Sequence, residues 1–298
     1  MIQYQNGNST VELHEDGTRV IQFEDKLKLN YPLNIDIRVN KGCSLGYNPT
    51  LKVAVCEFCH ESATIDGKEC DYEPLKEKLK GLPKGIELAI GGNKVTDELC
   101  EFLFWCKNQG YVCNLTVNQL HIKQYGEKLK DMMTIGIIKG LGISYRKDYS
   151  VDRMDRYFFN HPNVILHVIA GIDDVDDIIS LPFKKILVLG YKTFGFGVKY
   201  YSDTVKQNIQ EWVWWVRKLI ENKDVVSFDN LALEQLKVRR FISDEHWEVF
   251  NQGEHSFYIN AVDGYFSPSS RNPKKVDWNT MSVKEYFNLL DDENKLCH

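Results

Sequence analysis

The sequence predicts an α/β chain: a partial or closed (β/α) barrel of the TIM type, with an N-terminal β-hairpin and a C-terminal extension. Three observations carry this expectation. Short β-branched runs alternate with helical periodicities from Asn34 to Phe228. The connections between them are short, as parallel strand–helix units require. The candidate functional residues follow many successive strands instead of one switch point, which favours a sequential barrel over an open doubly wound sheet.

The first thirty residues, 1–30, read as a hairpin extension. Ser9–His14 and Thr18–Phe23 alternate around the turn signal Asp16-Gly17. The barrel unit is expected over residues 31–240. Its strands are Asn34–Asn40, Ile86–Ile90, Val112–Val117, Gly140–Tyr145, Val164–Ile169, Lys185–Leu189 and Val225–Phe228. Helices are expected at Tyr72–Leu82, at Asp97–Asn108 with Gly110 as its cap, at His121–Met133, near Val151–Phe159, and at Val175–Leu181 and Thr204–Asn222. Trp212, Trp214 and Trp215 are expected to pack the last of these against the body. Residues 241–298 read as a hairpin, Ser256–Ala261 with Gly264–Ser267, and a polar tail with a helix at Ser282–Leu290.

The net charge of −5 leaves no broad basic footprint for nonspecific nucleic-acid binding, although nucleic acid stays open as a substrate. No run of eighteen apolar residues occurs, and Met1-Ile2-Gln3 begins no signal peptide, so a cytoplasmic chain without a membrane partner is expected. Of eight cysteines, Cys70, Cys100, Cys106, Cys113 and Cys297 are scattered and read as reduced structural thiols. His161, His246 and His255 have no ligand spacing and read as surface or turn residues.

The other three cysteines, Cys43, Cys56 and Cys59, follow the first barrel strand. Three thiolates on a loop at a strand end can hold a soft metal or an iron–sulfur cluster. With His60 they also make a Cys3His zinc set, although a histidine directly after Cys59 strains simultaneous ligation. The plainest alternative is a non-catalytic barrel that binds a small molecule or partner and uses these cysteines as core residues.

Cys56-Glu57-Phe58-Cys59, a C-x-x-C with an aromatic before its last cysteine, resembles the second half of the cluster loop of radical S-adenosylmethionine enzymes. The usual spacing there is C-x3-C-x2-C. Here twelve residues, Ser44 to Val55, separate the first two cysteines. The insert carries the turn formers Gly46, Asn48 and Pro49, then Leu51–Val55 as a short strand. Closure entropy grows only with the logarithm of loop length, so the longer loop costs little.

The resemblance continues in order along the chain, from Ile35 to Lys192. Ala89-Ile90-Gly91-Gly92-Asn93 resembles the segment whose backbone meets the methionyl amine, with Asn93 in place of a glutamate. Thr116, Asn118 and Ser144 match strand-end positions that touch the cofactor. Val168-Ile169-Ala170-Gly171-Ile172 resembles the segment that meets adenine, with His167 where a glycine is usual, and Phe58 fits the aromatic beside that base. Each match has an ordinary counterpart: a strand-to-helix turn at Gly91 and Gly92, polar strand ends at Thr116, Asn118 and Ser144, and an apolar loop anchor at Phe58.

The resemblance implies a 4Fe–4S cluster on Cys43, Cys56 and Cys59, with S-adenosylmethionine on its open iron. It implies reductive cleavage to a 5′-deoxyadenosyl radical, an external one-electron reductant, and a small-molecule or nucleotide-type substrate. Lys192 lies in a glycine-rich loop after the sixth strand, and Asp229 ends the seventh. Both are candidates for orienting substrate. Otherwise that loop is a mobile element of the mouth and Asp229 caps the following helix.

Overall fold

The structure, a computed structural model, describes residues 1–149, 154–244, 247 and 255–296. His246, Cys297 and the start of the helix expected near Val151–Phe159 lie outside them.

The chain opens with a three-stranded antiparallel sheet, β1 (Ile2–Asn6), β2 (Ser9–Leu13) and β3 (Arg19–Phe23). Asp16-Gly17 turns the β2–β3 hairpin: Gly17 takes φ +87°, and Asp16 Oδ1 accepts the Thr18 N–H at 3.0 Å. The outer strand β1 is mostly polar (IQYQN), so hydrophobic patterning passes over it.

The body begins with β4 (Asn34–Arg38), β5 (Gly42–Tyr47), α1 (Tyr72–Leu79) and β6 (Glu87–Gly91). It continues through α2 (Asp97–Gln109), β7 (Val112–Asn118), α3 (Gln119–Thr134) and β8 (Gly140–Ser144). After α4 (Arg156–Asn160) come β9 (Val164–Ile169), α5 (Val175–Ser180) and β10 (Lys185–Leu189). Then follow α6 (Phe196–Tyr200), α7 (Asp203–Asn222), β11 (Val225–Phe228) and α8 (Asn230–Gln235). The described chain closes with β12 (Ser256–Asn260), β13 (Tyr265–Ser267), β14 (Val276–Asp277) and α9 (Val283–Leu296). Side chains set the ends of these helices. Thr96 Oγ1 accepts the Leu99 N–H at 3.1 Å to start α2, and Gly110 ends it in the left-handed conformation at φ +85°.

The sheet does not close, which corrects the barrel expectation. Its order is β11-β10-β9-β8-β7-β6-β4-β12-β13-β14. The strands from β4 to β11 run in sequence and pair in parallel, apart from β5, which stands outside the sheet. Closure would need β11 to pair with β4. That edge is taken by β12, which pairs with β4 in parallel through Ser256↔Asn34 and Ile259↔Ile37 and carries β13 and β14 antiparallel beyond it.

The open sheet is nonetheless strongly curled. Asp36 on β4 and Lys192 after β10 feel each other's charge. Five inter-strand steps separate those strands, about 24 Å if the sheet were flat. One cavity also touches side chains from β6 through β11. Alternation sorts the two faces. Ile35, Ile37, Leu88, Ile90, Leu115 and Val117 turn outward into the core, together with Leu99, Phe102 and Leu129 of the helices. The concave face carries small and polar residues instead, among them Asp36, Ala89, Asn114, Thr116, Gly142 and His167. In α7, Trp212 is buried at 2% exposure, whereas Trp214 is 76% exposed, so helical spacing turns the neighbouring indoles in opposite directions.

Candidate functional site

The cysteine loop starts at β5. Cys43 lies on that strand, and Leu45 N–H approaches its Sγ at 3.4 Å. The insert then turns on itself. Asn48 Oδ1 accepts from Thr50 N at 2.9 Å and Leu51 N at 3.0 Å, Asn48 N donates to Val53 O at 2.7 Å, and Lys52 takes φ +55°. The expected Leu51–Val55 strand is therefore a turn and its return. Val55 N donates to Leu45 O at 3.2 Å, which sets the end of the insert beside its beginning. Farther on, Tyr47 N bonds Ala63 O at 2.8 Å, and Ile65 N bonds Tyr47 O at 3.1 Å. Cys56 and Cys59 share a tight turn closed by Cys59 N to Cys56 O at 3.1 Å.

All three thiols line a single cavity of about 200 Å³. Of the residues expected to bind cofactor, Phe58, Asn93, Thr116, Asn118, Ser144 and Ile169 line it too. They arrive from five elements of the fold, and parallel β/α topology brings strand ends to one rim. A larger cavity of about 510 Å³ shares the walls Phe58, Tyr145 and Arg146 and adds Tyr200, Ile172 and Asp173. The Phe58 and Tyr200 rings meet edge-on at 5.8 Å.

Three predicted glycines stand elsewhere. Gly92 N–H donates to Thr116 O at 2.6 Å, and a Cβ there would lie 2.9 Å from Val117 Cγ1, so its close approach is to β7. Gly171, at φ +92°, packs on α7, where a Cβ would lie 2.7 Å from Ile209 Cγ1. Gly91 faces open space, its nearest neighbour Asn93 Oδ1 at 3.9 Å. Lys192 lines a narrow spur of about 30 Å³ with Phe58, His60 and Leu189. Asp229 does cap α8: its Oδ1 accepts Ala232 N at 2.8 Å and Gly190 N at 2.9 Å, while Oδ2 lies 3.7 Å from Lys192 Nζ. The glycines after β10 press on the cysteine loop. A Cβ on Gly195 would lie 2.5 Å from His60 O, and Phe196 N donates to Cys59 O at 3.0 Å.

The residues that tie the loop down are ones the sequence reading passed over. Arg146, just past β8, grips Asp148 with Nε and Nη2 at 2.9 and 2.8 Å. Its Nη1 donates to Val55 O at 2.9 Å and reaches Cys56 Sγ at 3.5 Å. Buried Gln119 holds that segment in turn, accepting Arg146 N at 2.9 Å and donating to Tyr149 O at 2.9 Å. His121 closes the capping box of α3, its Nδ1 accepting Asn118 N–H at 3.3 Å. Nε2 therefore carries the proton and donates to Ser44 Oγ at 2.7 Å, beside Cys43. Burial pulls the His121 pKa down to about 4, so the ring stays neutral near pH 7. One signal in the sequence bears on His121: it stands three residues after the capping asparagine.

Burial raises the Cys43 thiol and pushes Cys56 up to about 11, with the Arg146 charge opposing it at Cys56. The two thiolates would also repel each other. Thiols held in this way are poor free nucleophiles, and a cationic group that takes their protons relieves both penalties. No group of three His, Cys, Asp or Glu side chains among the described residues converges tightly enough to hold a single metal ion. His60 turns aside to Glu61, Nε2 to Oε1 at 3.2 Å, which speaks against the compact Cys3His zinc site. Among the described residues, the three cysteines that line this one cavity are the side chains that could hold an iron–sulfur cluster, each thiolate taking one iron. No helix among the described residues is long and apolar enough to cross a membrane.

No protein-family model matches the chain, and a search of curated proteins finds no match.

Proposed function

We propose that the protein is a radical S-adenosylmethionine enzyme. Cys43, Cys56 and Cys59 would hold a 4Fe–4S cluster, and S-adenosylmethionine would occupy the joined cavities beside it. The observation that carries this reading is the Val55–Leu45 hydrogen bond. It makes the twelve-residue insert a closed excursion, so the three cysteines line one cavity despite their spacing. When bound, cluster and cofactor supply one-electron cleavage of the sulfonium and hydrogen-atom abstraction.

The chain's own residues bind, orient and exclude water. Arg146 holds the returning arm of the insert and reaches the Cys56 sulfur. The His121–Ser44 pair fixes the start of the loop beside Cys43. Phe58, Tyr145 and Tyr200 give the larger cavity an aromatic wall suited to a planar base. Thr116, Asn118 and Ser144 bring polar strand ends to the smaller one. We infer an external one-electron reductant, and a cytoplasmic setting in which thiol ligands stay reduced.

Anaerobic reconstitution of single variants tests the ligand set. Cys43→Ala, Cys56→Ala and Cys59→Ala should each lose most of the iron, whereas Cys70→Ala and Cys100→Ala should keep it. A Cys43→Ala protein with a full cluster would remove Cys43 from the set.

A further inference from the structure

Below the cysteine cavity, toward the strand starts, the curled sheet holds a third cavity of about 480 Å³. Closed barrels fill the equivalent inward positions with bulky branched side chains. Here the pairing register sets small residues beside polar ones. Asn114 on β7 lies opposite Ala89 of β6 and Gly140 of β8, and Thr116 lies opposite Gly91 and Gly142 of the same two strands. Polar side chains lean across two of these glycines. A Cβ on Gly140 would lie 2.6 Å from Asn114 Oδ1, and one on Gly142 would lie 2.5 Å from His167 Nε2 and 2.9 Å from Thr116 Oγ1. Ile165 and Leu187 give the cavity an apolar side, and the β2–β3 turn bounds its outer end.

The charged groups around this cavity are answered by the protein itself. Arg19 pairs with Glu87, which also accepts from Asn114 Nδ2 at 3.2 Å. Lys139 pairs with Glu15 at 2.5 Å, and Lys185 Nζ donates to Asp16 O at 3.1 Å. The neutral groups are not answered. Asn114, Thr116, His167 and Ser227 all line the cavity, and among the described residues no hydrogen bond reaches Asn114 Oδ1, Thr116 Oγ1, Ser227 Oγ or the His167 ring. Desolvation lowers the His167 pKa to about 4, so near pH 7 the ring is neutral and offers one donor and one acceptor. A charged group deep in the cavity would meet no free counter-charge, and its lost hydration would go uncompensated. A hydroxyl both donates and accepts, and suits all four groups. The volume is that of an ordinary small-molecule site, which spans about 300–1,000 Å³.

We propose that this cavity is a second binding site, and that it takes an uncharged molecule rich in hydroxyl groups, a nucleoside or a free sugar. Asn114, Thr116, Ser227 and His167 supply its hydrogen bonds, and Ile165 and Leu187 pack against its carbon skeleton. Thr116 and His167 also line the cysteine cavity, so a ligand here lies next to whatever that cavity holds. The site stands whether or not the cysteines carry a cluster.

Calorimetry on the full chain, with no iron added, tests this with adenosine, uridine and D-ribose. At least one of the three should bind at millimolar concentration or tighter. A nucleoside that binds more tightly than D-ribose identifies a nucleoside site, and D-ribose that binds as tightly or more tightly identifies a sugar site. Adenosine 5′-monophosphate should gain nothing over adenosine. Ala89→Leu places a branched side chain in the cavity and should weaken binding about tenfold or more. Ser227→Val, at an exposed position of the edge strand β11 where folding is not at stake, should weaken it about threefold or more. Phe58→Ala alters the cysteine side alone and should leave binding unchanged. No binding by any of the three probes, tighter binding of adenosine 5′-monophosphate, binding indifferent to both Ala89→Leu and Ser227→Val, or binding lost with Phe58→Ala would each overturn the proposal. A chain that binds a probe but assembles no cluster would keep this site and lose the radical reading.

Discussion

Asp173 offers a test of the cavity's electrostatics that needs no ligand. The residue is 7% exposed and follows β9 at the wall of the larger cavity. Its Oδ2 accepts Ile169 N–H at 2.6 Å, and its backbone oxygen accepts Trp212 Nε1 at 2.7 Å. Burial outweighs both this hydrogen bond and the charges of Arg146 and Lys147, and raises the carboxyl from 3.8 to about 7. The folded state therefore holds a proton that the unfolded chain releases near pH 4. Stability from this group is complete below pH 3.8 and is lost as pH rises through about 7. Between pH 5 and pH 7 the loss is about 1.4 kcal/mol per pH unit, or about 3 kcal/mol in all. Asp173→Asn retains an oxygen for Ile169 and cannot ionise. Urea unfolding followed by tryptophan fluorescence should show the variant gaining on the parent by about 3 kcal/mol from pH 5 to pH 8. The His121 and His167 rings are depressed and lose stability as pH falls, but they cancel in the difference. A parent–variant difference that stays flat with pH would refute the reasoning.

Arg146→Ala should lower the iron retained on reconstitution and move the cluster's midpoint potential to more negative values, because a cation beside Cys56 favours the reduced, more negative cluster; an unchanged potential in electron paramagnetic resonance titration would show that the guanidinium acts on the loop alone. Asp229→Ala removes the cap of α8 and the acceptor for Gly190, and should cost about 1 kcal/mol or somewhat more in chemical denaturation; no loss would mean that the cap is dispensable. Gly171→Ala places a Cβ 2.7 Å from Ile209 at φ +92° and should cost at least about 1–2 kcal/mol, whereas Gly91→Ala meets nothing within 3.8 Å and should leave the melting temperature unchanged; equal effects would contradict the packing described.

Much of the fold was legible because local and tertiary preferences agree. β9, β10 and β11 form where their alternating or β-branched runs begin and end, and Gly110 caps α2 as its position demands. Closure was not legible. It depended on β12, a strand far along the chain that takes the edge of β4, and no local signal encodes a pairing across more than two hundred residues. In the site, the cysteines and the polar strand ends stood out by type and order. Arg146 and Gln119 did not, since an arginine and a glutamine at loop and helix starts are ordinary in sequence and gain meaning only from what they touch. The glycines were ambiguous for a related reason. Gly92 and Gly195 do permit close approach, but the approaching atoms belong to the chain itself. Asp36 was silent too: on an alternating strand a polar residue reads as facing bulk solvent, and only the curl of the sheet sets it on a concave face.

The fate of S-adenosylmethionine on the reconstituted protein decides whether the three cysteines serve radical chemistry. The full chain, loaded anaerobically with iron and sulfide, would be given S-adenosylmethionine and dithionite, and the nucleoside products separated by chromatography. If the protein is a radical S-adenosylmethionine enzyme, 5′-deoxyadenosine and methionine form with the parent and are absent from Cys43→Ala, Cys56→Ala and Cys59→Ala. A parent that takes up a four-iron cluster yet leaves S-adenosylmethionine intact, or that takes up no iron, would contradict that reading.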